Sequence, residues 1–123
     1  MVEHGKICLP FEACGLLSGT EGHIKSIWPL KNQLKSDRRF FVEKKIIEKT
    51  MQEINKLNEQ VLAVYHSHPT TVPVPSVYDI VNHPDSKVKM VIISYKLNPP
   101  NTKCYHIEKP SYEECLFCIN PSL

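Results

Sequence analysis

The chain has 123 residues, 41% of them hydrophobic, which fits one globular domain and leaves no room for a separate second core. Its formal charge of +2 and pI near 8.3 come without a clustered Lys/Arg stripe, which argues against nucleic acid as a partner. No apolar run approaches the ~20 residues that cross a bilayer, and the opening "MVEHGKICLP" has no signal-peptide apolar segment, so a cytoplasmic protein without membrane contact is expected.

The stretch before Pro10 can form a short helix, which Gly5 weakens. "ACGLLSG" reads as a small-residue turn into a strand, and "TEG" links it as a hairpin to a second strand, "HIKSIWPL". Between Pro29 and Phe41 the chain is polar and irregular. From Val42 to about Gln60, Ile46, Ile47, Met51, Ile54 and Leu57 recur at helical spacing, with Lys, Glu and Gln opposite them. "VLAVY" follows as a buried strand that delivers the chain to His66. The Pro-rich run Val72 to Pro75 is a stiff turn rather than a linker, because each proline fixes φ. "VKMVIIS" is a second buried strand, and "KCYHIEK" resembles an edge strand with alternating sides. This alternation predicts an α/β domain with a mixed sheet flanked by helices.

Cys8, Cys14, Cys104, Cys115 and Cys118 are an odd number at irregular positions without a secretion signal, and are read as reduced thiols. Cys115-x-x-Cys118 has the spacing of a redox or zinc motif, but no second pair completes a four-ligand site, which favours a structural reading.

Chemistry concentrates in "VYHSHPTTVPVPSVYD", Val64 to Asp79. In an extended segment residues i and i+2 share a side, so His66 and His68 can present two imidazoles to one point, and Pro69 then halts the strand. His-x-His alone carries little weight in a chain with six histidines. Ser76-Val77-Tyr78-Asp79, taken alone, is a capping-box-like helix start. The two readings are compatible: an Asp in the first turn of a helix can face a metal held by the preceding strand. Two imidazoles and one carboxylate leave the fourth position of a tetrahedral zinc open, as catalytic zinc requires. Hydrolysis there also needs a base. There is no HExxH and no Glu between Ala63 and Lys103, so the base must come from far away in sequence. Glu12, in "LPFEACGLLSG", is the candidate, although by itself it reads as a surface residue.

Glu12, His66-Ser67-His68-Pro69, Ser76 and Asp79 together match the metal-binding motif of the JAMM (MPN+) metalloprotease family at every defining position. "PFEACGLLSG" and "PSVYDI" resemble its bacterial branch, associated with small ubiquitin-like sulfur-carrier proteins. The resemblance covers nearly the whole chain. It implies a cytidine-deaminase-like α/β sandwich, with a curved mixed sheet between helices. It further implies Zn2+ on His66, His68 and Asp79, Glu12 as the general base, and Ser76 donating to the oxyanion of the tetrahedral intermediate. Ser67, on the opposite side of the strand, would be structural. Asn32 resembles a polar residue at a similar place in bacterial members and is a candidate substrate contact.

The implied activity is a zinc metallopeptidase that hydrolyses the amide bond after the extended, Gly-rich C-terminal tail of a ubiquitin-like or sulfur-carrier protein, the tail adding as a strand at a sheet edge. The alternatives are a catalytically silent scaffold of the same fold and a zinc hydrolase of a small cysteine-containing metabolite. In one respect the chain departs from the family, whose domains usually begin with a strand and a full helix before this segment; here Met1 falls inside that helix. A missing strand would expose a sheet edge that a second copy could cover as a homodimer.

Overall fold

A computed structural model describes residues 1–115. Along the chain it contains α1 (Val2–Cys8), β1 (Cys14–Thr20), β2 (His23–Leu30), α2 (Lys44–Lys56), β3 (Gln60–His68), α3 (Val77–Asn82), β4 (Lys89–Ser94), β5 (Asn101–Glu108) and β6 (Ser111–Cys115). The strands form one sheet in the order β2-β1-β3-β4-β5-β6. All neighbours are antiparallel except β3 and β4. A parallel pair cannot be joined by a tight turn, and the crossover from His68 to Lys89 carries the Pro-rich loop and α3.

Strand alternation divides the core between the two faces of the sheet. Leu17, Ala63, Tyr65, Val91 and Ile93 pack with Met1 and Val2 of the α1 end. On the other face, Cys14, Leu16 and Leu30 pack with Ile46 and Ile54 of α2, and Met90, Ile92, Tyr105 and Ile107 pack with Ile80 of α3. Ile54 is fully buried, which contributes about 1.5–3 kcal/mol. The mixed sheet therefore lies between α1 and the α2/α3 layer, as the alternation of elements predicts.

Local chemistry explains the boundaries. Glu21 and Gly22 both have positive φ, 51° and 77°, the signature of a type I′ turn, so "TEG" closes the β1–β2 hairpin as read. The second helix stops at Lys56, short of the expected Gln60. Asn58 takes a left-handed φ of 58°, its N–H donates to Asn55 O, and Glu59 N–H donates to Ile54 O. This is a Schellman stop with Asn in the glycine position, and it frees Gln60 to begin β3. "KCYHIEK" lies in β5, which is not an edge: β6 pairs outside it. Cys118 lies outside the described residues. Among the described residues no helix is long and apolar enough to cross a membrane.

Gly5, read as a weakness of α1, has a packing reason. A Cβ there would overlap the Tyr95 ring, whose hydroxyl donates to Val2 O. Gly15 faces Tyr65 in the same way, and Tyr65 cannot give way, because it is fully buried and its hydroxyl is bonded to His4 Nδ1 at 2.7 Å. Gly15→Ala is expected to destabilise the domain by about 1–3 kcal/mol through overpacking. In urea unfolding this appears as a lower midpoint with an unchanged slope.

Candidate metal centre

His66 and His68 end the interior strand β3, and their i, i+2 spacing turns both imidazoles to the α2/α3 face, where they are buried. The third group arrives from α3. Ser76 is its N-cap: the Ser76 Oγ accepts Asp79 N–H at 3.0 Å, and Asp79 Oδ2 accepts Ser76 N–H at 3.0 Å. The capping box read in the sequence is therefore complete. It also aims the carboxylate, because the same Oδ2 stands 3.1 Å from Nε2 of His66 and 3.1 Å from Nε2 of His68. The two Nε2 atoms are 3.2 Å apart.

Hydrogen bonding around the triad decides where the protons sit. His68 Nδ1 is 2.8 Å from the carbonyl of Val72, which can only accept, so Nδ1 carries a proton and donates there, leaving Nε2 directed at the centre. His66 stacks on Phe40, with ring centroids 5.0 Å apart and planes at 27°. Three successive carbonyls of the Pro-rich loop are held by side chains, Thr71 by Ser94 Oγ, Val72 by His68 and Pro73 by the Tyr105 hydroxyl. Sequence reading did not find Ser94 or Tyr105; both lie in strands far downstream, and no spacing links them to the loop.

Glu12 is the clearest correction to the residue-by-residue reading, since it is 1% exposed rather than a surface side chain. Its backbone N–H donates to Ser36 O at 2.6 Å, and its carbonyl accepts from Asn32 Nδ2 at 2.9 Å. The next residue, Ala13, donates its N–H to Ser67 Oγ at 2.7 Å and accepts Ser67 N–H at 2.9 Å. Cys14 then pairs with His66 in the sheet register, so Glu12 is held beside the end of β3. Ser67 points away from the imidazoles, as expected, and serves as this strap.

Asn32, a candidate substrate contact in the sequence, has its side-chain capacity already used. Nδ2 donates to Glu12 O and Arg39 O, and Oδ1 accepts from Leu34 N–H and Phe41 N–H. It braces the 31–41 loop and anchors Glu12. His83, buried nearby, is also committed, donating to Val88 O at 2.6 Å.

The donor set fits a divalent cation. Its ligand atoms form a triangle with sides of 3.1, 3.1 and 3.2 Å. Three corners of a tetrahedron with bonds of about 2.0–2.1 Å lie roughly 3.3 Å apart, so the triangle is close to that required of zinc. Two buried carboxylate oxygens, Glu12 Oε1 and Asp79 Oδ1, have no hydrogen-bond partner among the described residues, and unpartnered buried oxygens of this kind call for a counter-charge. Burial raises the Asp79 carboxyl, but hydrogen bonds from His66, His68 and Ser76 N–H outweigh it and hold the group well below the usual carboxylate range. Burial, the Asp79 carboxylate and Asp37 push Glu12 up to about 9. An apolar cavity of about 470 Å³ adjoins His66 and Asp79, lined by residues such as Leu16, Ile47, Met51 and Met90, so that side of the triad is a low-polarity surrounding.

Residues 1–108 match the family model described as prokaryotic homologues of the JAB domain. The chain belongs to this family. A desampylase from Pyrococcus furiosus is 30% identical over 69 residues, 56% of this chain and 49% of that protein, so the match spans about half the length of that relative. A solution structure of a Desulfitobacterium hafniense protein superposes with a TM-score of 0.83 at 29% identity, covering 93% of this chain and 82% of the other. A structure described as a JAMM metalloprotease-like zinc site in the proteasome and signalosome has a TM-score of 0.56 at 20% identity, covering 94% and 82%, which speaks for the shared fold. The JAB-family chain thus has the mixed α/β architecture expected of a JAMM domain.

Because Asn32 ties three backbone groups of the 31–41 loop to one another and to the Glu12 carbonyl, Asn32→Ala is expected to cost about 1–3 kcal/mol of stability. Hydrogen exchange should show the loss as faster exchange at Leu34 and Phe41, whose N–H groups it accepts.

Proposed function

We propose that this chain is a zinc-dependent metallopeptidase that hydrolyses the amide bond after the C-terminal tail of a ubiquitin-like or sulfur-carrier protein. The observation that carries the reading is the convergence of His66, His68 and Asp79 on one buried point beside the buried carboxyl of Glu12. Membership of the JAB family and the similarity to a desampylase support it.

His66, His68 and Asp79 would hold the metal. Zinc bound there supplies Lewis acidity, polarising a scissile carbonyl and acidifying water. Glu12 takes the proton of the attacking water and passes it to the leaving amine. Its raised proton affinity suits the first of those transfers, while a cation beside Asp79 would offset the carboxylate repulsion and so ease the second. Ser76 uses a lone pair for the helix cap, which leaves its hydroxyl proton free to stabilise a developing oxyanion. Ser76 is exposed, so substrate can reach it.

The substrate tail approaches differently from simple edge addition. The site lies at the end of β3, whereas the sheet edges among the described residues are β2 and β6. A tail reaching the site therefore runs across the strand ends, between the loop that carries Phe40 and the loop that carries Val72.

Metal analysis of protein purified without chelator should find about one zinc per chain in wild type and in Glu12→Gln, and loss of it in His68→Ala. Equal zinc in all three would assign it to the thiols. No zinc in any would favour a silent scaffold. Zinc-loaded protein incubated with carrier–amino-acid fusions should release the added residue, followed by mass spectrometry. Glu12→Gln should lower kcat about 10²–10⁴-fold, and Ser76→Ala about 10²–10³-fold. A zinc-replete protein that leaves every fusion intact but cleaves a small cysteine-containing amide would reassign the substrate.

A further inference from the structure

The face of the sheet away from the metal centre carries a pair of thiols that the proposed hydrolysis does not use. Cys104 of β5 and Cys115 of β6 stand directly opposite each other in the antiparallel register, so their side chains project to the same face. There Cys104 belongs to the cluster of Leu17, Ala63, Tyr65, Val91 and Ile93, and Cys115 packs against that cluster. Neither is in a disulfide, and the Cys115 thiol donates to the Glu113 carbonyl at 3.8 Å. Their exposure differs, with Cys104 5% exposed and Cys115 half-buried.

This geometry is near that of a cross-strand disulfide. Directly opposed residues hold their Cβ atoms about 4.5–5.5 Å apart, against the roughly 3.5–4.5 Å that a disulfide needs. The remaining movement falls on β6, which has no strand on its outer side among the described residues.

We propose that Cys104 and Cys115 form a redox-responsive dithiol that closes to an intramolecular disulfide by exchange with a low-molecular-weight disulfide such as oxidised glutathione. Cys115, the accessible sulfur, gives its proton to solvent and attacks one sulfur of the oxidant; that S–S bond breaks and one thiol leaves. The product is a mixed disulfide on Cys115. Cys104 then gives up its proton and attacks the Cys115 sulfur, the mixed disulfide breaks, and a second thiol leaves. The two protein thiols lose two electrons and two protons in all, and the oxidant is reduced to two thiols. Burial, with the neighbouring Cys115, pushes the Cys104 thiol up to about 11, which makes the second exchange the slower one. The bond fastens the edge strand to its neighbour, on the opposite face from the metal ligands.

The test uses the full chain treated with oxidised glutathione, quenched by alkylation and cleaved after glutamate. Such cleavage separates Cys104 from Cys115, because Glu108, Glu113 and Glu114 lie between them. Non-reducing mass spectrometry should find the Cys104 peptide joined to the Cys115 peptide in monomeric wild type, and also in Cys118→Ser. Cys104→Ser under the same conditions should accumulate one glutathione on Cys115. A Cys115–Cys118 bond with Cys104 still alkylatable would overturn the proposal, and so would alkylation of both Cys104 and Cys115 after oxidation.

Discussion

One carboxylate oxygen organises the centre of this protein. Asp79 Oδ2 accepts the Ser76 N–H that starts α3, and it also faces both imidazole nitrogens at the end of β3. A six-residue helix cannot sustain itself in water. The start of α3 is set instead by its cap and by Ile80 packing on the β4–β5 cluster. Because the cap and the candidate ligand are the same side chain, a helix in register is a helix with its carboxylate in place. The geometry of the His66, His68 and Asp79 triad is therefore a consequence of helix initiation, and anything that displaces Ser76 displaces Asp79.

The two buried carboxyl groups are driven in opposite directions by their surroundings. Asp79 is surrounded by donors, two imidazoles and a backbone N–H, which favour its ionised form despite burial. Glu12 is buried, has no donor at Oε1 among the described residues and feels the Asp79 charge, so its proton is held tightly. In the proposed function this suits one to be a permanent ligand and the other a proton carrier. The division depends on Glu12 staying out of water, which the Asn32 and Ser67 hydrogen bonds to its backbone segment secure.

Strand alternation separates two kinds of chemistry by one sheet thickness. Along β3, Val64, His66 and His68 face α2 and α3, while Ala63, Tyr65 and Ser67 face the α1 side. The α1 side holds the tyrosines that require Gly5 and Gly15, as well as the paired thiols of β5 and β6. The parallel β3–β4 pair requires a crossover, and that crossover brings α3 to the end of β3. Antiparallel pairing there would need only a short turn and would bring no helix.

Features written as short spacings were legible in the sequence. His66 and His68 share a strand face because the side-chain period is two, and Ser76 to Asp79 is a capping box because a helix N-terminus offers its free N–H groups at that interval. The α2 period and the β1–β2 turn belong to the same class, and even the early end of α2 was encoded, in Asn58. What the tertiary structure alone decided involves partners that no period connects. Glu12 is buried because Asn32, Ser36 and Ser67, between 20 and 55 residues away along the chain, take its backbone and that of Ala13. The same holds for Ser94 and Tyr105 on the Pro-rich loop, for the interior place of β5, and for the facing of Cys104 and Cys115. Local sequence dictates which groups a segment presents. Only folding determines which distant groups meet them, because the free energy of that meeting comes from desolvation and contacts that do not exist until the sheet is assembled.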